Sequence, residues 1–255
     1  MPANSTTRFS SRVANYVRFR PGYPPALVEL LAREAGLTPA AAIADIGSGT
    51  GLLAKVFLEA GYSVTGVEPN REMRQAGDQL LSAFPAFRSV EGAAEATNLP
   101  GDTFRLAVAG QALHWFDVPS ARAEWVRILQ PGGVAALIWN ERYVETPFMR
   151  DVEALIDHYA AEMDSDGSIR EAGRSRIPAF FAPSAFRLDE FPNSQRFGLE
   201  GLTGRIASCS FLPNAGDPRY DQMSRDLEAI FHRYENSGEV RFDYRTKVFH
   251  GRLGD

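Results

Sequence analysis

Residues 45–51, with the sequence Asp-Ile-Gly-Ser-Gly-Thr-Gly, decide the fold of this chain. They follow the short apolar run 41–46 and precede a stretch whose apolar residues recur at helical spacing from Leu52 to Ala60. A buried strand, a tight glycine turn and a helix in this order are typical of the first unit of a parallel α/β sheet. Glycine permits positive φ and the close approach of a ligand, and a helix N-terminus presents free N–H groups to an anion. We therefore expect a ligand to bind at this turn.

Apolar strands and amphipathic helices continue to alternate after this unit. The sequence predicts further strands at 63–67, 87–90, 104–109 and 134–139. It predicts helices at 24–35, closed by Gly36, and at 70–82, with Asn70 as the N-cap. A third helix is predicted through Ala121, Trp125, Ile128 and Leu129. This alternation selects an α/β fold, a doubly wound, mostly parallel sheet with helices on both faces.

The second half of the chain is less regular. We expect a helix around 152–159, a polar loop at 164–175, a helix at 223–234 and a closing strand at 240–250. The region 142–187 is expected to cover the ligand site as a small cap. The chain is interpreted as one domain, 1–255. It would consist of an N-terminal lid and first helix at 1–40, a ligand-binding core at 41–141, and the cap with the C-terminal elements at 142–255.

Glu68 ends the second predicted strand and indicates which ligand the turn holds. A carboxylate at this point can accept two hydrogen bonds from the vicinal hydroxyls of a ribose. The third glycine, Gly51, comes one residue earlier than in the dinucleotide fingerprint G-x-G-x-x-G, where Leu52 now stands. The loop also lacks the lysine of a phosphate-binding P-loop. An adenosine-containing ligand without a phosphate is favoured, and a turn that is glycine-rich only because it is tight is the alternative.

The sequence from Asp45 to Gly51, with an acid at the end of the second strand, resembles motif I of the class I S-adenosylmethionine-dependent methyltransferases. Residues 109–116, AGQALHWF, resemble the A-Q-A-x-H-W-F signature of the type 11 small-molecule methyltransferases, which include relatives of trans-aconitate methyltransferase. Residues 16–24, 129–133, 206–210 and 244–248 are also similar to that group. The resemblance implies a Rossmann-like sheet of seven strands and methyl transfer from S-adenosylmethionine to a small molecule, at oxygen rather than carbon.

The resemblance also implies a set of cofactor-binding residues. They are Tyr16, Arg20, Asp45, Gly47, Ser48, Gly49, Gly51, Glu68, Pro69, Met73, Ala94, Glu95 and Gln111. The N-terminal residues would lie over the cofactor as a lid, with Arg20 hydrogen-bonded to a carboxylate of cofactor or substrate. The adenine contact would rest on the Ala94 backbone and on Glu95, since Ala93 stands where the family often has aspartate.

His114 is the candidate catalytic residue. Its ordinary pKa lies near neutrality, so it could remove a proton from a hydroxyl or an acidic carbon. A carboxylate acceptor would need no base. We expect Trp115, Trp139, Asn140, Arg142 and Tyr143, at strand ends, to line the acceptor pocket. Packing in the core is the alternative for the aromatic residues among them.

Composition restricts the partners. The chain has 27 Lys+Arg against 32 Asp+Glu, a net charge of −5, which argues against nucleic acid or an anionic membrane as a partner. No apolar run reaches the length of about 18 residues that a membrane span needs, and the N-terminus is polar. The single cysteine and four dispersed histidines indicate no disulfide and no metal site. We expect a cytoplasmic protein, monomer or homodimer, and keep two alternatives: an NAD(P)-dependent oxidoreductase and a non-catalytic S-adenosylmethionine-binding module.

Overall fold

The computed structural model describes residues 18–163, 175–209 and 211–254. Its strands are β1 (Ala42–Ile46), β2 (Ser63–Val67), β3 (Phe87–Val90), β4 (Phe104–Gly110), β5 (Leu129–Arg142), β6 (Arg187–Phe197) and β7 (Val240–Arg252). They form one seven-stranded sheet in the order β3-β2-β1-β4-β5-β7-β6. Strands β1 to β5 are parallel, and β7 runs antiparallel to both β5 and β6. The predicted fold class is confirmed, including the closing strand near the C-terminus.

Eight α-helices accompany these strands in the described part of the chain. They are α1 (Ala26–Ala35), α2 (Leu52–Glu59), α3 (Arg71–Leu80), α4 (Val118–Ile128), α5 (Pro147–Glu162), α6 (Ile177–Phe181), α7 (Leu199–Ala207) and α8 (Tyr220–Tyr234). The predicted caps are present: Gly36 closes α1 with a φ of 60°, and the Asn70 side chain accepts two backbone N–H groups at the start of α3. Local sequence signals therefore set these helix ends.

The core lies on both faces of the sheet because successive strand residues point to opposite sides. Ile43 of β1 packs in a cluster with α1 and α2, whereas its neighbour Ala44 packs in a second cluster with α4 and α6. A third apolar cluster joins α5, α7 and α8 to the far end of the sheet around Phe242. Helices cover both faces, as the alternation of elements predicts.

The structure differs from the sequence prediction in the start of β5 and in an additional strand, β6. Helix α4 ends at Ile128, and Leu129, expected in that helix, begins β5, which is longer than the predicted 134–139. Strand β6 was not predicted, because it is a polar edge strand with Pro192 inside it, and such strands lack the apolar run of a central strand. Residues 164–174 of the expected loop lie outside the described residues.

The region 142–187 does not form one cap in the part that the structure describes. Helix α5 packs against α8 in the third apolar cluster, and α6 packs against α4 over the sheet. No described helix is long and apolar enough to cross a membrane, and no metal-binding group of His, Cys, Asp or Glu occurs among the described residues.

Candidate active site

A cavity opens where β1, β4 and β5 end at the carboxyl edge of the sheet. The glycine turn lines it from β1, Gln111 lines it beyond β4, and Asn140 lines it from β5. Its remaining walls come from the segment before α1, including Arg20, and from Arg205 of α7. Ligands of open α/β sheets bind outside the carboxyl ends of the strands, so this cavity is the expected place for a site.

The glycine turn has a backbone that L side chains rarely adopt. Gly47 has a φ of +69°, and a Cβ atom on it would come within 2.9 Å of the Cβ of Ala112. The Gly47 and Ser48 N–H groups both donate to the carbonyl of Val67, at 2.8 and 3.1 Å, which ties the turn to β2. Gly51 has a φ of +81°, and a Cβ atom on it would collide with the Leu81 side chain in the core. The turn therefore needs glycine at both 47 and 51, for a positive φ and for close packing.

Asp45 carries a buried carboxylate at the cavity. The residue is 0% exposed, and neither carboxylate oxygen has a hydrogen-bond partner among the described residues. Burial raises the pKa of Asp45 to about 7; the nearby Ala54 amide opposes this shift and the Glu68 carboxylate adds to it. A buried acceptor without a donor is costly. Because Asp45 lines the cavity, a ligand donor can satisfy it there.

Glu68 follows β2 and holds the turn in place. Its Oε2 accepts the Gly49 N–H at 2.9 Å, and its Oε1 accepts the Asn70 N–H at 2.8 Å. Burial raises the pKa of Glu68, while these two hydrogen bonds oppose that shift. Each carboxylate oxygen has two lone pairs, so both retain capacity for a further donor. Glu68 stands beside the turn, but it does not line the cavity itself.

The other predicted cofactor residues are spread around this turn. Met73 is buried, and its Cε lies 3.5 Å from where a Cβ of Gly49 would stand. Ala94 is buried and Pro69 is exposed. The Glu95 carboxylate accepts the Asp117 N–H at 2.7 Å, so its contact in this structure is with the start of α4. None of these side chains lines the cavity.

Gln111 and Arg20 do line the cavity, whereas Tyr16 lies outside the described residues. Gln111 has a φ of 57°, uncommon for a residue other than glycine, and its side chain donates to the Asn140 carbonyl at 3.0 Å. The Arg20 guanidinium donates to the Ser208 carbonyl at 2.8 Å, just beyond α7. The two residues thus border the cavity from the sheet side and from the N-terminal segment.

His114 is partly buried in a short 3₁₀ turn after β4 and does not line the cavity. Burial, and then the positive charges of Arg176 and Arg20, lower the pKa of His114 to about 4. Its ring packs 4.7 Å from that of Trp115. The imidazole is therefore neutral at physiological pH and a weak base.

Of the residues predicted for the acceptor pocket, only Asn140 lines the cavity. Trp139 points to the opposite face of β5, where its ring packs edge-on against Phe249 at 5.8 Å, because neighbouring strand residues alternate. Trp115 is half-buried against the same apolar cluster.

Arg142 and Tyr143 lie farther along the same strand end, away from the cavity. Arg142 forms an ion pair with Glu153 of α5, and Tyr143 lies under the Arg245 guanidinium at 4.4 Å. Arg142 thus holds α5 against the sheet and Tyr143 packs on a side chain of β7, so the structure does not bring Trp139, Arg142 and Tyr143 to the cavity.

Arg205 and Tyr23 line the cavity and were not predicted to bind the acceptor. Tyr23 lies against Gly110, where any Cβ would collide with its hydroxyl. Arg205 is buried on α7, directly before the segment 206–210 whose likeness to the type 11 group drew attention to this region. A single arginine in an amphipathic helix carries no signal of its own, because arginine usually lies on the solvated face.

Residues 44–137 match the family model of a methyltransferase domain. This segment is less than half of the chain. An uncharacterised methyltransferase of Mycobacterium tuberculosis is 36% identical over 150 residues, 58% of this chain and 58% of the relative. That match covers less than two thirds of the mycobacterial protein. An uncharacterised methyltransferase-like protein of Schizosaccharomyces pombe is 26% identical over 245 residues, 94% of this chain and 93% of the relative.

Solved structures share the fold of this chain. One is a protein of Anaeromyxobacter dehalogenans, assigned but not demonstrated to be a type II methyltransferase. It has a TM-score of 0.70 and 22% identity, and the match covers 92% of this chain and 98% of that chain. At this identity the likeness shows the fold alone. The matched family segment begins at Ala44 and contains both the glycine turn and Glu68.

Proposed function

We propose that this protein transfers a methyl group from S-adenosylmethionine to a small-molecule acceptor, at oxygen, by in-line displacement. The observation that carries the proposal is the buried, unpartnered carboxylate of Asp45. It lines a cavity beside the glycine turn, at the carboxyl edge of the sheet, within the segment that matches the model of a methyltransferase domain. An ammonium group is the natural partner of such a carboxylate, and S-adenosylmethionine has one.

The residues around the turn fit the remaining parts of this cofactor. Each Glu68 carboxylate oxygen accepts one backbone N–H and keeps a second lone pair. These two lone pairs could accept hydrogen bonds from both ribose hydroxyls. Arg20, at the cavity, could bind the cofactor carboxylate. Met73 and Ala94 would make apolar contacts with the adenine ring. The Gln111 side chain would form a polar part of the cavity wall. A phosphate-bearing dinucleotide fits less well, because the acid at Asp45 would stand close to the bound phosphates.

When bound, the cofactor supplies a methyl group on a positively charged sulfur; an acceptor oxygen takes the methyl, and the sulfur keeps the electron pair of the broken bond. The task of the protein is to orient the acceptor and exclude water. A hydroxyl acceptor would also need a group to take its proton. With its pKa near 4, His114 is a poor base. An oxygen that is already anionic is therefore the favoured acceptor.

Calorimetry with S-adenosylhomocysteine and with NAD tests the proposal. We expect S-adenosylhomocysteine to bind and NAD not to bind; NAD binding without S-adenosylhomocysteine binding would refute the proposal in favour of an oxidoreductase. A metabolite screen, read by the mass gain of a methyl group, then tests turnover. Binding of the cofactor with no methylated product from any acceptor would favour the non-catalytic binding module. The more specific likeness to trans-aconitate methyltransferase would be tested in the same screen.

A further inference from the structure

Arg205 on α7 is a buried guanidinium in the cavity wall. The residue is 4% exposed. Its Nε donates to the Tyr244 hydroxyl at 2.8 Å and its Nη1 to the Cys209 sulfur at 3.5 Å. The guanidinium also lies 5.4 Å from the ring centre of Phe242 and 5.6 Å from that of Tyr244. Two aromatic rings and two hydrogen bonds therefore fix its position.

Nothing in the described part of the chain neutralises this charge. Arg205 forms no ion pair with a described carboxylate, and its Nη2 group makes no hydrogen bond to a described residue. The acid of the same cavity, Asp45, has no hydrogen-bond partner of its own. A buried charge without a counter-ion is costly, so such an arrangement suits a site whose ligand brings the opposite charge.

We propose that Arg205 binds a carboxylate of the methyl acceptor. The proposal rests on the proposed function and adds to it the charge of the substrate and the residue that recognises it. A guanidinium binds a carboxylate through two parallel N–H···O bonds that come from two of its nitrogens. In Arg205 the Nη2 group and the second N–H of Nη1 can supply them, since Nε donates to Tyr244 and one N–H of Nη1 to Cys209. The carboxylate that Arg205 binds serves for recognition and is not the group that is methylated. Its oxygens are weaker nucleophiles because the guanidinium neutralises their charge, and a different oxygen of the acceptor takes the methyl group.

A chain of hydrogen bonds positions Arg205 and connects it to the N-terminal segment. The Tyr244 hydroxyl, which accepts from Arg205, donates to the Gln195 side chain at 3.0 Å. The Gln195 amide in turn donates to the carbonyls of Phe19 and Arg20, at 3.3 and 3.4 Å. Tyr244 and Gln195 are thus positioning residues, and the segment that carries Arg20 is held against the same wall as Arg205.

The cofactor is the other possible source of a carboxylate. Arg205 lies outside the segment 44–137, which contains the glycine turn and Glu68. It also comes from α7, which packs with α8 and β6, elements of the C-terminal part of the chain. Because Arg20 is proposed to bind the cofactor carboxylate, Arg205 is left for the acceptor. The two sources can be separated with ligands that differ only in the carboxylate-bearing part.

The test uses the full chain and measures thermal unfolding with acetate, succinate, citrate and benzoate, each paired with its uncharged amide. Measurements are made with and without saturating S-adenosylhomocysteine. We expect at least one carboxylate, and none of the amides, to raise the Tm of the wild-type complex. In Arg205→Met the affinity for that carboxylate should fall at least about tenfold, since hydrogen bonds to a charged group are strong. Tyr244→Phe, which keeps the ring beneath the guanidinium, should show a smaller loss.

Arg245→Met is the matched control, because the Arg245 guanidinium stacks on Tyr143 outside the cavity; it should bind the carboxylate as wild type does. The dissociation constants of S-adenosylhomocysteine and of methylthioadenosine, which lacks the carboxylate, should change less than about twofold in Arg205→Met. A loss confined to S-adenosylhomocysteine would assign Arg205 to the cofactor and overturn the proposal. The proposal would also be overturned if none of the four carboxylates raised the Tm in a way that depends on Arg205. Failure of wild type to bind S-adenosylhomocysteine would instead refute the proposed function.

Discussion

Replacing Asp45 by asparagine is expected to stabilise the empty protein and to weaken cofactor binding. The substitution keeps the shape of the side chain and removes its charge. In the folded protein burial raises the pKa of Asp45 to about 7, from an ordinary value of 3.8. Wild type therefore binds this proton more tightly when folded than when unfolded, and between about pH 4 and pH 7 its stability falls as the pH rises.

The size of the effect follows from that difference in pKa. A separation of about three pH units, at about 1.4 kcal/mol each, corresponds to about 4 kcal/mol of lost stability once the pH exceeds 7. The residue is 0% exposed, so solvent does not screen the effect. Asparagine has no charge to bury, and the Asp45→Asn variant should lack this part of the pH dependence. The free energy of unfolding of Asp45→Asn should exceed that of wild type by an amount that increases from pH 5 to pH 8.

Urea unfolding of both proteins at pH 5, 6, 7 and 8, without ligand, measures this difference. Calorimetry at pH 8 should show S-adenosylhomocysteine binding to Asp45→Asn at least about tenfold more weakly, because a charged hydrogen bond is worth about 1.5–3 kcal/mol. A stability difference that does not change with pH would refute the assignment of a buried, uncompensated carboxylate. Unchanged affinity would show that Asp45 does not contact the cofactor.

Three further predictions concern the surroundings of the turn. Glu68→Ala should weaken S-adenosylhomocysteine binding about tenfold or more, measured by calorimetry, with the exposed Glu72→Ala as control; equal affinities would place the ribose elsewhere. Asn70→Ala removes the cap of α3 and should lower the free energy of unfolding by about 1 kcal/mol in urea, whereas Asn70→Asp should retain it. The imidazole of His114 should stay neutral, so its NMR resonances should not titrate between pH 5.5 and 8, and a midpoint in that range would contradict the effect of burial and of Arg176.

Local sequence signals predicted the elements that surround the glycine turn. Strands β2 and β3 begin and end at the residues that the sequence predicts, and Asn70 and Gly36 cap the helices at which they stand. These features depend on residues within a few positions of one another, so they can be recognised without the rest of the chain. The proposed cofactor class rests on local signals as well, because Asp45, the glycines and Glu68 lie within one βαβ unit.

Features that depend on distant residues were not predictable in this way. Strand β6 acquires its conformation by pairing with β7 along its whole length, although its own polar sequence does not favour a strand. The alternation along β5 decided that Asn140 reaches the cavity while Trp139 enters the core. The weak basicity of His114 arises from burial and from two arginines distant in sequence.

The sequence by itself determined the parallel sheet, the glycine turn and the acid that follows it, since hydrophobic periodicity and glycine act over a few residues. Only the tertiary structure decided which side chains share the cavity. Arg20, Asp45, Asn140 and Arg205 come from four separate parts of the chain and meet at one edge of the sheet. Their effect depends on burial and on which groups the fold brings beside them, and both are properties of the folded packing.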